Sequence, residues 1–148
     1  MTRLLFAYGS NMAISEMRAW CPEARFAGVA RLPDRRLALT RRSIRWGGGA
    51  VDIVPARGEE VWGALYEVAD GALDRLDEKE GQGWAYRRVE VVVECDGRRV
   101  PADAYEVIAK EPQEVPATAE YTALLVDAAR ERGLPAAYVG RLLRWLAR

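Results

Sequence analysis

The chain has 148 residues, half of them apolar and 30% charged, which is the size and composition of one globular domain with a sizeable core. Basic and acidic residues number 22 each, so the formal net charge is zero and nothing in the overall charge attracts nucleic acid or a membrane surface. The chain has no histidine, which excludes a Ser-His or Cys-His nucleophile pair and any histidine-ligated metal site.

The first half of the chain reads as strands separated by turns. Residues 3–8 predict a buried strand that ends at Gly9-Ser10-Asn11. Residues 13–20 predict a short helix, which must end before Pro22 because the residue preceding a proline avoids helical angles. Four more strands are predicted, broken at Pro33-Asp34, at an Arg-rich then Gly-rich loop and at Pro55: residues 25–31, 35–40, 50–54 and 60–68.

The second half predicts a helix, a hairpin and two more helices. Residues 70–80 have an apolar helix face, with Asp70 as its N-cap. Residues 86–94 and 99–108 read as strands joined by a tight Asp96-Gly97 turn. The last two helices are predicted from the Thr118 cap to Arg132, where Gly133 ends the helix, and over 136–147.

This tally of six or seven strands with short connections favours antiparallel or mixed pairing over repeated βαβ units. We therefore predict an α+β fold, a mixed, largely antiparallel β-barrel with flanking helices. It is expected to form a single domain over residues 1–148. The exposed apolar face of the last helix could serve a homodimer.

The turn after the first strand is a candidate anion cradle. Gly9 lets a ligand approach bare backbone, and a helix start offers unpaired N–H groups. Ser10 and Asn11, the only asparagine in the chain, add side-chain donors. The alternative is an ordinary strand-to-helix turn with Asn11 as the helix cap. Local sequence alone favours this alternative, because short glycine motifs often match by chance.

The second candidate feature is the acidic end of the helix at residues 70–80, followed by a Gly-rich loop. In a chain without histidine, Glu80 is a natural general acid–base, and Trp84 and Tyr86 could supply the desolvation that raises the pKa of a carboxyl group. The alternative is that Asp77, Glu78 and Glu80 are simply solvated acids. Taken alone, this run of acids favours the alternative.

An arginine cluster at residues 31–45 raises the question of RNA binding. The strand pattern there leaves Leu37 and Leu39 on one side and the arginines on the solvent-exposed side, and the chain is neutral overall, so no nucleic acid partner is expected.

Cys21 and Cys95 lie far apart in the sequence and form no CxxC pair, so we interpret them as two buried small apolar residues and not as a disulfide or a reactive centre. The apolar start is too short for a signal peptide and no window approaches a membrane span, so we expect a cytoplasmic protein without a membrane partner.

Several segments together, in collinear order along nearly the whole chain, resemble the γ-glutamylcyclotransferase (AIG2-like) family. Each is weak alone, and the ordered set is specific. The segments are Phe6-Ala7-Tyr8-Gly9-Ser10-Asn11, Gly48-Gly49-Ala50-Val51, Glu60-Val61-Trp62-Gly63, Leu76-Asp77-Glu78-Lys79-Glu80-Gly81, Tyr86, Glu120-Tyr121 and Gly133-Leu134-Pro135-Ala136-Ala137-Tyr138.

The resemblance implies an enzyme without metal or cofactor that releases 5-oxoproline from a small-molecule γ-glutamyl substrate. It implies Glu80 as the catalytic acid–base. It assigns substrate binding to Tyr8, Gly9, Ser10, Asn11, Met12, Tyr86 and Tyr121. The loop between Glu80 and Tyr86 is one residue shorter than in the animal members of the family, which makes the placement of Tyr86 a point for the structure to resolve.

Three functions remain open from the sequence, beside a structural or interaction domain, which predicts no pocket at all. The first is a cyclotransferase acting on a γ-glutamyl amino acid or γ-glutamyl amine, which Asn11 favours. The second is a cyclotransferase acting on another γ-glutamyl amide, either lysine-linked or an acylated amine of a biosynthetic route. The third is a module that binds a small carboxylate without turnover, which the acid at position 80 disfavours, because a carboxylate receptor gains nothing from a nearby carboxylate.

Overall fold

The computed structural model describes residues 1–81 and 83–148, and within them five strands close into a barrel in the order β1-β3-β2-β4-β5. A one-turn 3₁₀ helix and four α-helices complete the fold. In chain order the elements are β1 (Thr2–Ala7), the 3₁₀ helix (Ser10–Met12), α1 (Ile14–Trp20), β2 (Arg25–Ser43), β3 (Gly48–Ala69), α2 (Asp70–Glu80), β4 (Tyr86–Cys95), β5 (Arg98–Val107), α3 (Ala119–Arg132) and α4 (Ala136–Leu146).

The barrel is mixed and mostly antiparallel, as predicted. Strand β1 runs antiparallel to β3, and β2 runs antiparallel to both β3 and β4. Strands β4 and β5 form a hairpin. The barrel closes through the single parallel contact of β1 with β5, where Leu5 faces Asp103. The sequence prediction of an α+β barrel with flanking helices is confirmed.

The strands are longer and fewer than the sequence suggested. The predicted breaks at Pro33-Asp34 and Pro55 are not breaks, because β2 and β3 run through them as one long bent hairpin. Pro33 and Asp34 are accommodated by a shift of register between Pro33 and Arg35, and Asp34 takes a left-handed conformation with φ of 59°. A β-bulge of this kind bends a strand without ending it, so a turn-forming dipeptide does not separate two strands here.

Most of the predicted end signals hold. Asp96 and Gly97 both have positive φ, as a tight two-residue hairpin requires. The Thr118 side chain accepts a hydrogen bond from the Tyr121 N–H at 3.2 Å, and Gly133 ends α3 in the left-handed conformation. The prediction for Asp70 is wrong: Ala69 occupies the N-cap position, and Asp70 is the first residue of α2, where its charge favours the helix dipole.

The hydrophobic core fills the barrel and continues beneath the helices. Leu5 and Phe6 of β1 and Tyr66 of β3 are buried inside it. Helix α2 packs Leu73 and Leu76 against this core and ends at Glu80. Cys21 and Cys95 are both free thiols. Within the described part of the chain, no helix is long and apolar enough to cross a membrane.

Candidate active site

The turn after β1 leaves three backbone N–H groups without a hydrogen-bond partner in the described part of the chain. It folds as the 3₁₀ helix, in which the N–H groups of Met12 and Ala13 bond to the carbonyls of Gly9 and Ser10, both at 3.0 Å. The N–H groups of Gly9, Ser10 and Asn11 make no hydrogen bond to residues 1–81 or 83–148. Three consecutive unpaired donors at a cavity wall suit an anion or a developing oxyanion.

Two details of this turn differ from the sequence interpretation. Helix α1 begins only at Ile14, so the free N–H groups belong to the 3₁₀ turn and not to the start of an α-helix. Asn11 does not cap α1, whose N-cap is Ala13. Because the Asn11 side chain does not cap a helix, it is available for a contact with another part of the fold.

Glu80 reaches this turn because α2 ends abruptly at Gly81. Gly81 takes a left-handed conformation with φ of 65°, and its N–H bonds to the carbonyls of Asp77 and Glu78. A Cβ at this position would lie 2.8 Å from the Trp84 ring, so glycine serves both the backbone angle and the packing. The tight end turns the Glu80 side chain inward, where it is only 14% exposed.

Asn11 and Glu80 are joined directly, although 69 positions separate them in the sequence. Asn11 Nδ2 donates a hydrogen bond to Glu80 Oε1 at 2.8 Å. The other oxygen, Oε2, accepts no hydrogen bond from the described residues. The carboxylate is therefore held through one oxygen while the second is left to exchange a proton with a ligand.

The turn and Glu80 line a narrow inner cavity of about 40 Å³ together with four tyrosines. The tyrosines come from different parts of the fold and are Tyr8, Tyr86, Tyr105 and Tyr121. Tyr121 Oη accepts a hydrogen bond from the Val51 N–H at 3.0 Å, and Tyr86 Oη donates to the Val51 carbonyl at 3.3 Å. The shorter loop before Tyr86 thus still brings this side chain to the cavity.

The four tyrosines are neutral hydrogen-bonding groups. Burial raises the pKa of Tyr8, Tyr86, Tyr105 and Tyr121 above the ordinary value, and the charge of the nearby Glu80 raises it further. Tyr8 donates its hydroxyl proton to the Tyr105 carbonyl, and Tyr105 donates to Asp77 Oδ1 at 2.7 Å. Among the described residues of the inner cavity, Glu80 alone carries a carboxyl group, so it is the candidate acid–base.

A second, outer cavity of about 450 Å³ adjoins the first. The two share Ser10, Glu80, Tyr86 and Tyr121 as lining residues, so a ligand in one reaches the other past Glu80. The outer cavity carries cationic and apolar side chains, namely Arg41, Arg45, Lys79, Trp20, Ile44, Trp46 and Trp84. Among the described residues, no group of three or more Cys, Asp or Glu side chains is placed to hold a metal ion.

Two predicted features are placed differently. Met12 is fully buried in the core and lines neither cavity, and its backbone carbonyl accepts hydrogen bonds from Tyr66 and Arg132, so we remove it from the substrate site. Trp84 packs beside Gly81 but remains 68% exposed, so it lines the outer cavity and does not seal Glu80 from water.

The chain is similar in sequence and in fold to known proteins of one family. The AIG2-like family matches residues 60–142. The γ-glutamylcyclotransferase of Bos taurus is 33% identical over 145 residues, which is 94% of this chain and 76% of that protein, and the Homo sapiens enzyme is 32% identical with the same coverage. A solved structure of a γ-glutamyl cyclotransferase superposes with a TM-score of 0.91 at 32% identity, over 96% of this chain and 86% of the other.

The chain belongs to the γ-glutamylcyclotransferase (AIG2-like) family. The structure also places two charged side chains near Glu80 that the sequence interpretation did not assign, Lys79 and Glu16. Lys79 contacts Asn11 and lies 3.6 Å from Glu80 Oε1, and Glu16 of α1 lies 3.7 Å from Lys79. No local pattern marks Glu16 as inward-facing, since its sequence neighbours, Ser15 and Met17, are one polar and one apolar residue.

The family tyrosines offer a test of position against chemistry. Tyr121→Phe removes the acceptor of the buried Val51 N–H, which is expected to lower the free energy of unfolding by about 1–3 kcal/mol. We expect kcat/KM to fall by about tenfold, a smaller loss than for Glu80→Gln, and the same ranking for Tyr8→Phe. Thermal unfolding and steady-state kinetics measure both effects. Tyr138→Phe on α4, outside both cavities, is the control, and a loss at Tyr121 equal to that of Glu80→Gln would contradict a positioning role.

Proposed function

We propose that this chain converts a γ-glutamyl amino acid to 5-oxoproline and the free amino acid, with Glu80 as the general acid–base. One observation carries the proposal. Glu80, a mostly buried carboxylate with one oxygen that accepts no hydrogen bond from the described residues, lines the same cavity as Gly9, Ser10 and Asn11, whose N–H groups have no partner among those residues. The family relationship supports this reaction class, since the matched relatives are named γ-glutamylcyclotransferases.

The reaction needs no nucleophile from the protein. The α-amine of the glutamyl group attacks its own γ-carbonyl carbon, a five-membered ring forms, and the bond from that carbon to the leaving nitrogen breaks. Holding the glutamyl chain folded lowers the barrier, by about 7–11 kcal/mol at the extreme for well-oriented intramolecular reactions. A chain without histidine or a paired cysteine nucleophile is compatible with this chemistry.

Glu80 is positioned to move the protons that the reaction must transfer. The α-nitrogen loses one proton from its ammonium form before attack and a second after it has bonded to the carbonyl carbon, and the leaving nitrogen gains both. The Glu80 carboxylate carries each proton in turn, and general acid–base catalysis of this kind typically accelerates a reaction about 10²- to 10⁴-fold. The N–H groups of Gly9, Ser10 and Asn11 bind the glutamyl α-carboxylate or the oxyanion of the tetrahedral intermediate. The tyrosines fix the walls around the folded glutamyl chain.

The outer cavity supports an amino acid as the leaving group. Arg41 lies half-buried with its guanidinium carbon 5.4 Å from the ring centre of Trp84 and 5.8 Å from that of Tyr86. No acidic side chain of the described residues pairs with it. An arginine held by aromatic rings and without an anionic partner among the described residues suits a carboxylate on the leaving group, and the half-buried Trp46 suits an apolar side chain.

Turnover of a defined substrate panel tests the proposal. The purified protein is incubated with γ-glutamyl dipeptides, glutathione and γ-glutamyl-ε-lysine, and released 5-oxoproline is quantified by mass spectrometry. We expect release from γ-glutamyl dipeptides, faster when the second residue is apolar. Binding of the dipeptides without any release would instead indicate a carboxylate-binding module, and exclusive turnover of γ-glutamyl-ε-lysine would indicate the lysine-linked alternative.

A variant of Arg41 tests the assignment of the outer cavity to the leaving group. Arg41→Gln should raise KM for a γ-glutamyl amino acid about tenfold, the effect of losing one hydrogen bond to a charged group, with kcat little changed. KM for γ-glutamyl methylamide, which has no carboxylate on its leaving group, should not change. Arg42→Gln, the exposed neighbour, is the matched control. Equal effects on both substrates would show that Arg41 does not recognise that carboxylate.

A further inference from the structure

The contacts of Lys79 suggest a role for this residue that rests on the proposed function. Lys79 is one of two lysines in a chain with 20 arginines, and its side chain is only 7% exposed. Burying an ammonium is costly unless anionic and polar partners surround it. Here the partners come from three elements: Glu16 from α1, Ser10 and Asn11 from the 3₁₀ helix, and Glu80 from the same helix as Lys79.

Lys79 and its two acidic partners, together with Arg45, form a line of alternating charge in the order Arg45, Glu16, Lys79 and Glu80. Arg45 binds Glu16 through both carboxylate oxygens, at 2.7 and 2.8 Å. Glu16 lies 3.7 Å from the Lys79 ammonium, and that ammonium lies 3.6 Å from Glu80 Oε1. The last two distances are longer than a hydrogen bond, so these two contacts are electrostatic attractions, and they hold the Lys79 ammonium between the two carboxylates.

Lys79 donates two hydrogen bonds to the 3₁₀ helix, a long one to Ser10 Oγ at 3.4 Å and a short one to the Asn11 side-chain oxygen, and the second fixes the direction of the carboxamide. A lysine ammonium can only donate, so the Asn11 oxygen must face Lys79. The Asn11 nitrogen is then left to donate to Glu80 Oε1 at 2.8 Å. An ammonium that contacts one end of the carboxamide and a carboxylate that contacts the other leave only one orientation that satisfies all three groups.

We propose that Lys79 is a positioning residue that orients Asn11, so that Asn11 engages one oxygen of Glu80 and leaves the other oxygen for proton transfer with the substrate. Glu16 and Arg45 hold Lys79 for this task. Without the ammonium, the carboxamide oxygen loses its donor, so the carboxamide is no longer held on that side and can rotate away from Glu80. Glu80 then loses its fixed orientation in the cavity.

Asn11 gives this proposal a readout that does not depend on catalysis. Because it is the only asparagine, protein labelled selectively with [¹⁵N]asparagine shows one side-chain NH₂ pair in a ¹H–¹⁵N correlation spectrum. Lys79→Met should shift this pair and speed its exchange with water, because the carboxamide is no longer held. Arg75→Met removes an exposed cation one turn earlier on α2 and is the matched control, which should leave the pair unchanged. An unshifted pair in Lys79→Met would overturn the proposal.

Kinetics give the second readout through a double-mutant cycle. Lys79→Met and Asn11→Ala should each lower kcat about 10- to 100-fold, and the double variant should be no slower than Asn11→Ala alone, because Lys79 acts through Asn11. Multiplying losses in the double variant, or an unimpaired Lys79→Met, would overturn the proposal. If Lys79→Met does not fold, Lys79→Met combined with Glu16→Met removes the whole buried ion pair and should show the same loss and the same NMR shift.

The two readouts separate this proposal from the proposed function. If the Asn11 pair shifts in Lys79→Met but the wild-type protein releases no 5-oxoproline, the cyclotransferase is refuted while the positioning role stands. An active wild-type protein whose Asn11 pair and kcat are indifferent to Lys79 would refute the positioning role alone.

Discussion

Glu80→Gln should lower the rate of 5-oxoproline release by at least about 10²- to 10⁴-fold, the contribution typical of a general acid–base. Glutamine has nearly the same shape as glutamate, and its amide oxygen can still accept the hydrogen bond that Asn11 Nδ2 gives to Oε1. The substituted side chain cannot take up the proton of the substrate ammonium. We therefore expect kcat to collapse while KM and the thermal unfolding temperature stay close to those of the wild type.

The control for this prediction is the neighbouring acid on the same helix. Glu78 is exposed and lines neither cavity, so Glu78→Gln should retain wild-type turnover. Substrate binding by the Glu80 variant, measured by calorimetry, separates a loss of chemistry from a loss of affinity. Near-normal turnover by a folded Glu80→Gln protein would show that another group transfers the proton.

The second large effect is expected at Gly49, where two backbones meet. A Cβ on residue 49 would lie 2.8 Å from the Val115 carbonyl carbon and closer still to its oxygen. The Gly49 N–H also bonds to the Pro116 carbonyl at 2.8 Å, so neither backbone can withdraw without losing that bond. Gly49→Ala should lower the free energy of unfolding by about 3 kcal/mol and the unfolding temperature by roughly 10 °C.

This substitution should also reduce turnover, because the displaced segment leads into α3. Residues 115–118 connect the barrel to the helix that carries Tyr121, whose hydroxyl bonds to the Val51 N–H. Gly71→Ala is the matched control, since Gly71 is exposed on α2 with open space around its Cα, and it should leave stability unchanged or slightly raised. Equal unfolding temperatures for the wild type and Gly49→Ala would contradict the close approach of β3 and the Val115 segment.

The sequence predicted the fold where the signal was local. The Asp96-Gly97 turn, the Thr118 cap and the Gly133 stop each depend on a few neighbouring residues, and all three hold. The two long strands were missed because Pro33-Asp34 and Pro55 usually interrupt a strand. Whether such residues end a strand or form a bulge depends on the partner strand across from them, which no local pattern contains.

The same division applies to the candidate site. Glu80 and the Gly9–Asn11 turn were identified because both belong to segments that the family shares, and the structure brings them to one cavity. Lys79 and Glu16 were not identified, since a lysine and a glutamate on helices usually point to solvent. Their ionic contact joins residues 63 positions apart, and only the packing of α1 against α2 shows that both side chains are buried.

The central claim is that the γ-glutamyl group lies between the turn at residues 9–11 and the side chain of residue 80. A crystal structure of Glu80→Gln with an uncleaved γ-glutamyl amino acid tests it most directly. We expect the glutamyl α-carboxylate or γ-carbonyl oxygen within about 3 Å of the N–H groups of Gly9, Ser10 or Asn11, and the α-amine within hydrogen-bonding distance of residue 80. A ligand ordered elsewhere, with its α-amine remote from residue 80, would contradict the proposed site and its chemistry.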